Sequence, residues 1–418
     1  MSQWRLSDWA LGLLAALIVL AAWESLAVNN QPETHGCGGD FPQYYVAGTI
    51  LRGGDASRLY DQAYFRDFQK TLRDDPLPSL YPPSLGLLVM PLSYLSYSKA
   101  LAVWWAIQAM CLMASGAIFY RSVSFEQAWR INMLMALAAM APLWLAIGIG
   151  QVGPMILLIV AGGLTLHKRD RCVAAGLLLS LLALKPQLAA GLVLWMLLRR
   201  DIRTLLGLAA GLAIQVIVVA AIFGPGLWFD YVHAMPTIAA MTRRAHFSPM
   251  MEASFVGTAS NLYWSAGLVS WEKVSMKFAY ALSVSVAAVM LCRIVFARRP
   301  LLAAQQSTAA PETANYEYAC GVMFMTIFPP YFILYDHMLM AIPLVMLWSS
   351  PAWRWGMVLF ASTTVLVVNL SLVLGFSLSG ITVLITMCYL MHSVVQAEGL
   401  LKFCPNKISK NLSPILTS

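Results

Sequence analysis

Small knots of positive charge, spaced between apolar stretches long enough to enter a bilayer, constrain this chain more than any other feature. They fall at Arg121 with Arg130, at HKRDR (167–171), RRDIR (199–203) and ARRP (297–300), at Arg354, and at Lys402, Lys407 and Lys410. If all lie on the cytoplasmic side, as the positive-inside bias requires, the runs between them cross the membrane in pairs. Spans are then expected at 100–120, 131–148, 152–166, 172–184, 187–198, 204–223, 273–296, 318–333, 338–350, 357–373 and 378–393, after a first at 10–28. That gives about 12 transmembrane helices with both termini cytoplasmic. Several are shorter than the ~20 residues that a perpendicular helix needs, which implies local thinning or a cavity reaching into the membrane.

Composition agrees. Hydrophobic residues make up 60% of the chain and charged residues 11%, with a mean hydropathy of +0.70, a balance that a solvated globular surface cannot carry. The runs lack the strict alternation of a barrel strand, so helices must satisfy the backbone. The net charge of +8 is scattered rather than gathered in one stripe, which speaks for topology and against nucleic acid. Residues 10–28 follow Arg5 without a small-residue cleavage site and contain Glu24, so a retained first helix is expected rather than a removed signal. Seven cysteines without a CxxC pair call for neither a disulfide framework nor a zinc site.

The same parity places two large loops outside, 29–99 and 224–272, within a single membrane domain 1–418. In the first, Tyr60, Tyr64, Phe65, Phe68 and Leu72 recur at helical spacing against Arg66, Asp67, Lys70 and Arg73, as in an amphipathic helix lying on the membrane face. The proline-punctuated 81–95 is expected as an interfacial or re-entrant segment. Together they form an extracytoplasmic cap. The Ala/Pro/Thr-rich stretch 298–317 reads as a cytoplasmic linker.

Few residues can do chemistry. Asp40, in GGDFPQYYVAG (38–48), is a carboxylate near lipid, which is costly unless paired or used. It either caps a helix starting at Phe41 or serves as a catalytic group, and the two are compatible. Lys185 in LALKPQLAAG costs roughly 3 kcal/mol if left in the membrane; it is a snorkelling side chain or a cation for a lipid-linked phosphate. Arg243 and Arg244 break the inside bias, as anchors or as phosphate ligands. His337 follows Asp336 at an outer helix end. Walker, GxGxxG, HExxH and GxSxG patterns are missing from the sequence, which leaves nucleotide-driven transport and soluble hydrolase chemistry without support.

GGDFPQYYVAG, RLYD, LYPPSLGLLVMPLSYL, GIGQVGPMILLIVAGGL, AAGLLLSLLALKPQLAAGLVLWMLLRR and YDHMLMAIPLVML occur in an order that resembles glycosyltransferase family 87. These are integral membrane enzymes of GT-C fold, including polyprenol-phosphate-mannose-dependent α-1,2-mannosyltransferases of mycobacterial lipid biosynthesis. The resemblance implies a helical membrane bundle, a catalytic aspartate in the first extracytoplasmic loop, matched by Asp40, and a lipid-phosphate sugar donor. It places Gln151 in the GQ motif, Lys185 in the KP motif and His337 in the last motif. There the mycobacterial pattern has Ser-Pro before the histidine and this chain has FPPYFILYDH, so sugar and acceptor do not follow from the resemblance.

Polyprenyl phosphate leaves readily, whereas the acceptor hydroxyl needs its proton removed. One carboxylate therefore suffices: Asp40 as base, direct displacement with inversion, and Lys185, Arg243, Arg244 or His337 on the donor phosphate. Tyr44, Tyr45, Tyr81 and Gln151 are expected at the sugar. A retaining mechanism would need a second carboxylate close by. The expected partners are a polyprenyl-phosphate-linked sugar, a lipid or glycan acceptor and membrane lipids; no cofactor or metal is called for. The resemblance implies a bacterial inner membrane. The competing readings are a lipid or sugar transporter or flippase, suggested by the short broken pairs at GQVGP and LKPQ, an acyl- or phosphotransferase, and a non-catalytic polymer-export subunit.

Overall fold

The computed structural model describes residues 8–29, 39–73, 76–122, 127–244, 311–327, 333–348, 352–374 and 378–403. Helix dominates throughout, and the described residues contain no strand beyond an isolated bridge between Met140 and Thr364. The α-helices are α1 (Asp8–Asn29), α2 (Phe41–Arg52), α3 (Gln62–Gln69), α4 (Pro83–Val89), α5 (Tyr97–Ser122), α6 (Gln127–Ala138), α7 (Ala141–Gly148), α8 (Gly153–Lys168), α9 (Cys172–Leu179) and α10 (Pro186–Leu198). They continue with α11 (Ile202–Phe223), α12 (Gly226–Arg244), α13 (Pro311–Ile327), α14 (Ala341–Trp348), α15 (Trp353–Ser362), α16 (Val365–Leu374) and α17 (Leu378–Phe403).

Two of these, α5 with 26 residues and α11 with 22, are long and apolar enough to cross a membrane. Only 22% of the most apolar window of each is buried, so the rest of the apolar surface faces outward. Ile214, Ile217 and Ile222 of α11, exposed at 55%, 65% and 54%, have no business in water; a helix that is apolar all round and open on most sides is solvated by lipid. Shorter apolar helices of 10–17 residues include Gly153–Lys168, Cys172–Leu184 and Pro186–Leu198.

Two of the expected spans are interrupted. The run 131–148 divides into α6 and α7 at Ala139–Met140, and 357–373 divides into α15 and α16 at Thr363–Thr364. Each break frees backbone groups that lipid cannot satisfy, and the two breaks satisfy each other: the Ala141 amide donates to the Thr363 carbonyl at 3.0 Å beside the Met140–Thr364 bridge. The sequence run 172–184 behaves similarly, with α9 tightening into a 3-10 turn at Ser180–Leu184 before Pro186 opens α10. Close approach holds α9 on α11: a methyl at Gly176 would lie 2.0 Å from the Thr204 carbonyl oxygen, and one at Gly207 would lie 2.2 Å from that of Val173, the small-residue packing that membrane helices use.

At the end of α8 away from Gly153, polar groups bind four helices together. Asp201 caps α11 by accepting from the Thr204 amide at 3.2 Å, and its other oxygen lies 2.7 Å from His167 Nε2. His167 Nδ1 lies 2.6 Å from the Tyr318 hydroxyl, and Arg199 Nη2 donates to Glu317 Oε1 at 2.7 Å with both side chains buried. His167, Asp201 and Cys172 come close enough to hold a metal ion, yet both imidazole nitrogens already have partners. Of the expected linker 298–317, only the residues from Pro311 are described; they begin α13, and Glu317 joins the bundle through Arg199.

Residues 39–73 and 76–95 fold into a cap of short helices. Asp61 caps α3 by accepting from the Ala63 and Tyr64 amides at 3.1 and 3.2 Å. One cap face joins Ile50, Leu59, Tyr60 and Phe65 to Leu227 and Tyr231 of α12. The opposite face sinks Phe41, Tyr44, Leu85 and Val89 into the main core, where Phe41 stacks on Trp104 at 5.6 Å. Residues 245–272 and the expected span 273–296 lie outside the described part.

Candidate active site

The site forms where the cap meets the turn between α7 and α8. Gly39 has φ +48, and a side chain there would come within 2.8 Å of the Ile149 backbone, so glycine is required by both conformation and space. This contact lets the Asp40 amide donate to the Ile149 carbonyl at 2.7 Å. Asp40 occupies the N-cap position of α2, yet its side chain makes no capping bond. The carboxylate turns instead to the bundle, where Oδ2 accepts from Gln151 Nε2.

Gln151 is fully buried and uses its whole hydrogen-bonding capacity. Nε2 also reaches the Tyr335 hydroxyl at 2.9 Å, and Oε1 faces the hydroxyls of Tyr44 and Tyr81 at 3.0 and 3.4 Å. Those two hydroxyls are 3.0 Å apart. The turn carrying Gln151 is itself fixed, because the indoles of Trp104 and Trp105 donate to the carbonyls of Gly150 and Ile147 at 2.8 and 3.1 Å. A fully engaged amide cannot rotate without breaking several bonds, so Gln151 aims the carboxylate.

Beyond Tyr335 lies Lys185, whose Nζ donates to Asp336 Oδ1 at 2.5 Å with both side chains buried. The ammonium stands 4.6 Å from the centre of the Tyr335 ring, and the Ile333 amide donates to the other Asp336 oxygen at 3.3 Å. Burial raises the Asp40 carboxyl above its ordinary value; the Arg73 charge, the Gln151 hydrogen bond and the Lys185 charge pull against that rise. Asp40 nevertheless keeps part of its surface open. A carboxylate with raised proton affinity, fixed in direction and reachable, is suited to taking a proton from a hydroxyl.

Of the residues expected from sequence, Asp40, Tyr44, Tyr81, Gln151 and Lys185 come together in one network. Tyr45 does not join it: its hydroxyl donates to the Leu95 carbonyl at 2.8 Å and its ring meets Tyr97 edge-on. His337 is buried in the 3-10 segment Leu334–Met340, next to Asp336. Arg243 and Arg244 end α12, and their side chains lie outside the described part. Sequence reading missed Tyr335, Arg73 and the pairing of Lys185 with Asp336. The last was open to inference, since two lone opposite charges in apolar runs must find each other.

The model of glycosyltransferase family 87 matches residues 80–330, more than half of the chain. The chain belongs to glycosyltransferase family 87. That match takes in Tyr81, Gln151 and Lys185, and leaves Asp40 and Asp336 on either side of it. No curated protein and no solved structure matches the chain. Family membership makes sugar transfer from a donor to an acceptor its class of activity, ahead of the transporter, flippase and export readings, and together with the outward apolar faces of α5 and α11 it marks a membrane protein.

Proposed function

We propose that this family 87 enzyme moves a hexose, mannose in the first instance, from a polyprenyl-phosphate donor to a hydroxyl of a lipid or glycan acceptor. The reaction runs on the extracytoplasmic face of a bacterial inner membrane, in a bundle of twelve crossings with both termini inside. Asp40 takes the acceptor proton as the hydroxyl attacks the anomeric carbon. The bond to the phosphate oxygen breaks with its electron pair, and the configuration inverts.

The observation that carries this reading is the turning of the Asp40 carboxylate away from its own helix N-terminus onto Gln151. A capping aspartate stabilises by bonding the amides of the next turn; this one gives up that bond for a position in a buried polar network, which stability alone does not reward. Tyr44 and Tyr81 present the aromatic and hydroxyl surface against which a sugar packs. Lys185 with Asp336 holds the far side of the network, and His337 with Arg243 and Arg244 completes the proposed donor-binding set.

The test is transfer by the purified protein in lipid nanodiscs, with polyprenyl-phosphate mannose and glucose as donors. A missing general base lowers turnover by about 100- to 10,000-fold, and Asp40→Asn is expected in that range while eluting as a folded monodisperse peak. Transfer by Asp40→Asn at the wild-type rate removes the proposed base. Transfer from neither lipid-phosphate donor removes the donor class.

A further inference from the structure

Of the cations named from sequence, Lys185 serves the donor phosphate poorly. Lys185 is closed into a buried ion pair with Asp336, and opening such a pair costs several kcal/mol because it strands a charge in a low-dielectric interior. A different cation reaches the base from the cap. Arg73 donates from Nη1 to the carbonyl of Gly39 at 2.8 Å, the residue directly before Asp40. It forms no ion pair among the described residues, and its Nε is buried without a hydrogen-bond partner.

Its position is built. Gln69 at the end of α3 is fully buried, donates from Nε2 to the Leu77 carbonyl at 2.5 Å and accepts the Leu77 amide at 3.2 Å, which clamps the chain on both sides of Arg73. The Arg73 amide donates to the Gln69 carbonyl at 2.9 Å. A guanidinium anchored through Nη1 leaves its other edge, Nε–H with Nη2–H, as a parallel pair of donors, the fork that matches two oxygens of a phosphate. A buried N–H with nothing to bond is costly, and a bound anion is one of the ways such a group is completed; here the anchored edge lies beside the proposed base.

We infer that Arg73 binds the phosphate of the donor through this edge, next to the base that Asp40 supplies. The inference rests on the lipid-phosphate reading above. As the anomeric C–O bond breaks, its electron pair passes to the phosphate oxygen and the phosphodiester monoanion becomes a monoester dianion, while the acceptor proton moves to Asp40. Charge therefore grows at the phosphate during the step, and an arginine fixed beforehand stabilises it without reorganising.

The test uses geranylgeranyl phosphate and geranylgeraniol as paired probes, titrated against wild type, Arg73→Gln, Arg73→Lys and Lys185→Gln in nanodiscs. Wild type should bind the phosphate at least tenfold more tightly than the alcohol. Arg73→Gln should lose most of that preference with alcohol binding unchanged, Arg73→Lys should keep part of it, and Lys185→Gln should keep more than Arg73→Gln. An Arg73→Gln protein whose preference equals that of wild type overturns the assignment. A wild type that does not distinguish phosphate from alcohol overturns the lipid-phosphate reading and the assignment with it. A lost preference in Lys185→Gln alone transfers the role to Lys185.

Discussion

Replacing Gln151 with leucine isolates the step on which the proposed chemistry depends. The side chains are close in size, so Gln151→Leu keeps volume at a fully buried position and removes two donors and two acceptors. Tyr44 and Tyr81 still have each other at 3.0 Å, which cushions their loss. Asp40 has no such substitute. A hydrogen bond to a charged group is worth about 1.5–3 kcal/mol, so a carboxylate released from Gln151 should lower kcat/KM by about 10- to 150-fold. The loss should fall in kcat, since the Gln151 amide is taken up by Asp40 and the three tyrosine hydroxyls. The Gln151 hydrogen bond also holds the Asp40 carboxyl down against burial; without it the acid limb of the pH–rate profile should move to higher pH. Transfer assays from pH 4 to 8 read both effects. A fall of less than threefold with an unmoved acid limb would refute the view that Gln151 aims the base.

Other outcomes follow from the same geometry. The folded Asp40 carboxyl lies above its unfolded value of about 3.9, so both states are protonated at lower pH, and the cost of an ionised buried group appears as pH rises through the folded value; Asp40→Asn should melt above wild type at pH 7, with the difference shrinking toward pH 4. Lys185→Met should destabilise by about 3–5 kcal/mol because Asp336 is left charged and buried, and adding Asp336→Leu should restore most of it, as read by thermal denaturation in detergent. Ser57→Cys, with Cys37 of the same proposed outer loop 29–99 replaced by serine, should react with an impermeant maleimide applied from outside intact cells; labelling only after lysis would invert the proposed sidedness.

The helical membrane class was open to reading because it follows from one-dimensional facts: run length, charge spacing and the need of buried backbone for partners. Asp40 and Lys185 stood out for a similar reason, being charged groups in surroundings where charge is expensive, whereas Tyr44 stood out as an aromatic beside Asp40 and Gln151 through the GQ motif of the family that the chain resembles. What stayed hidden depends on contacts distant in sequence. Arg73 looked like one more charge on an amphipathic helix, and only the clamp of Gln69 on Leu77 returns it to Gly39. Tyr45 and Tyr44 were indistinguishable as letters, yet adjacent positions on α2 face different ways, so one joins Gln151 while the other braces Leu95. The breaks at Met140 and Thr363 were equally invisible, because each interruption is tolerable only in the presence of the other.

The proposed base and the amide that directs it belong to opposite sides of a joint, one on the cap and the other on the turn before α8. On the proposed mechanism, a copy whose cap has not yet settled onto the bundle carries every residue named for catalysis and still does nothing. Activity would then report completed assembly, with half-assembled chains silent instead of spilling sugar onto whatever hydroxyl passes.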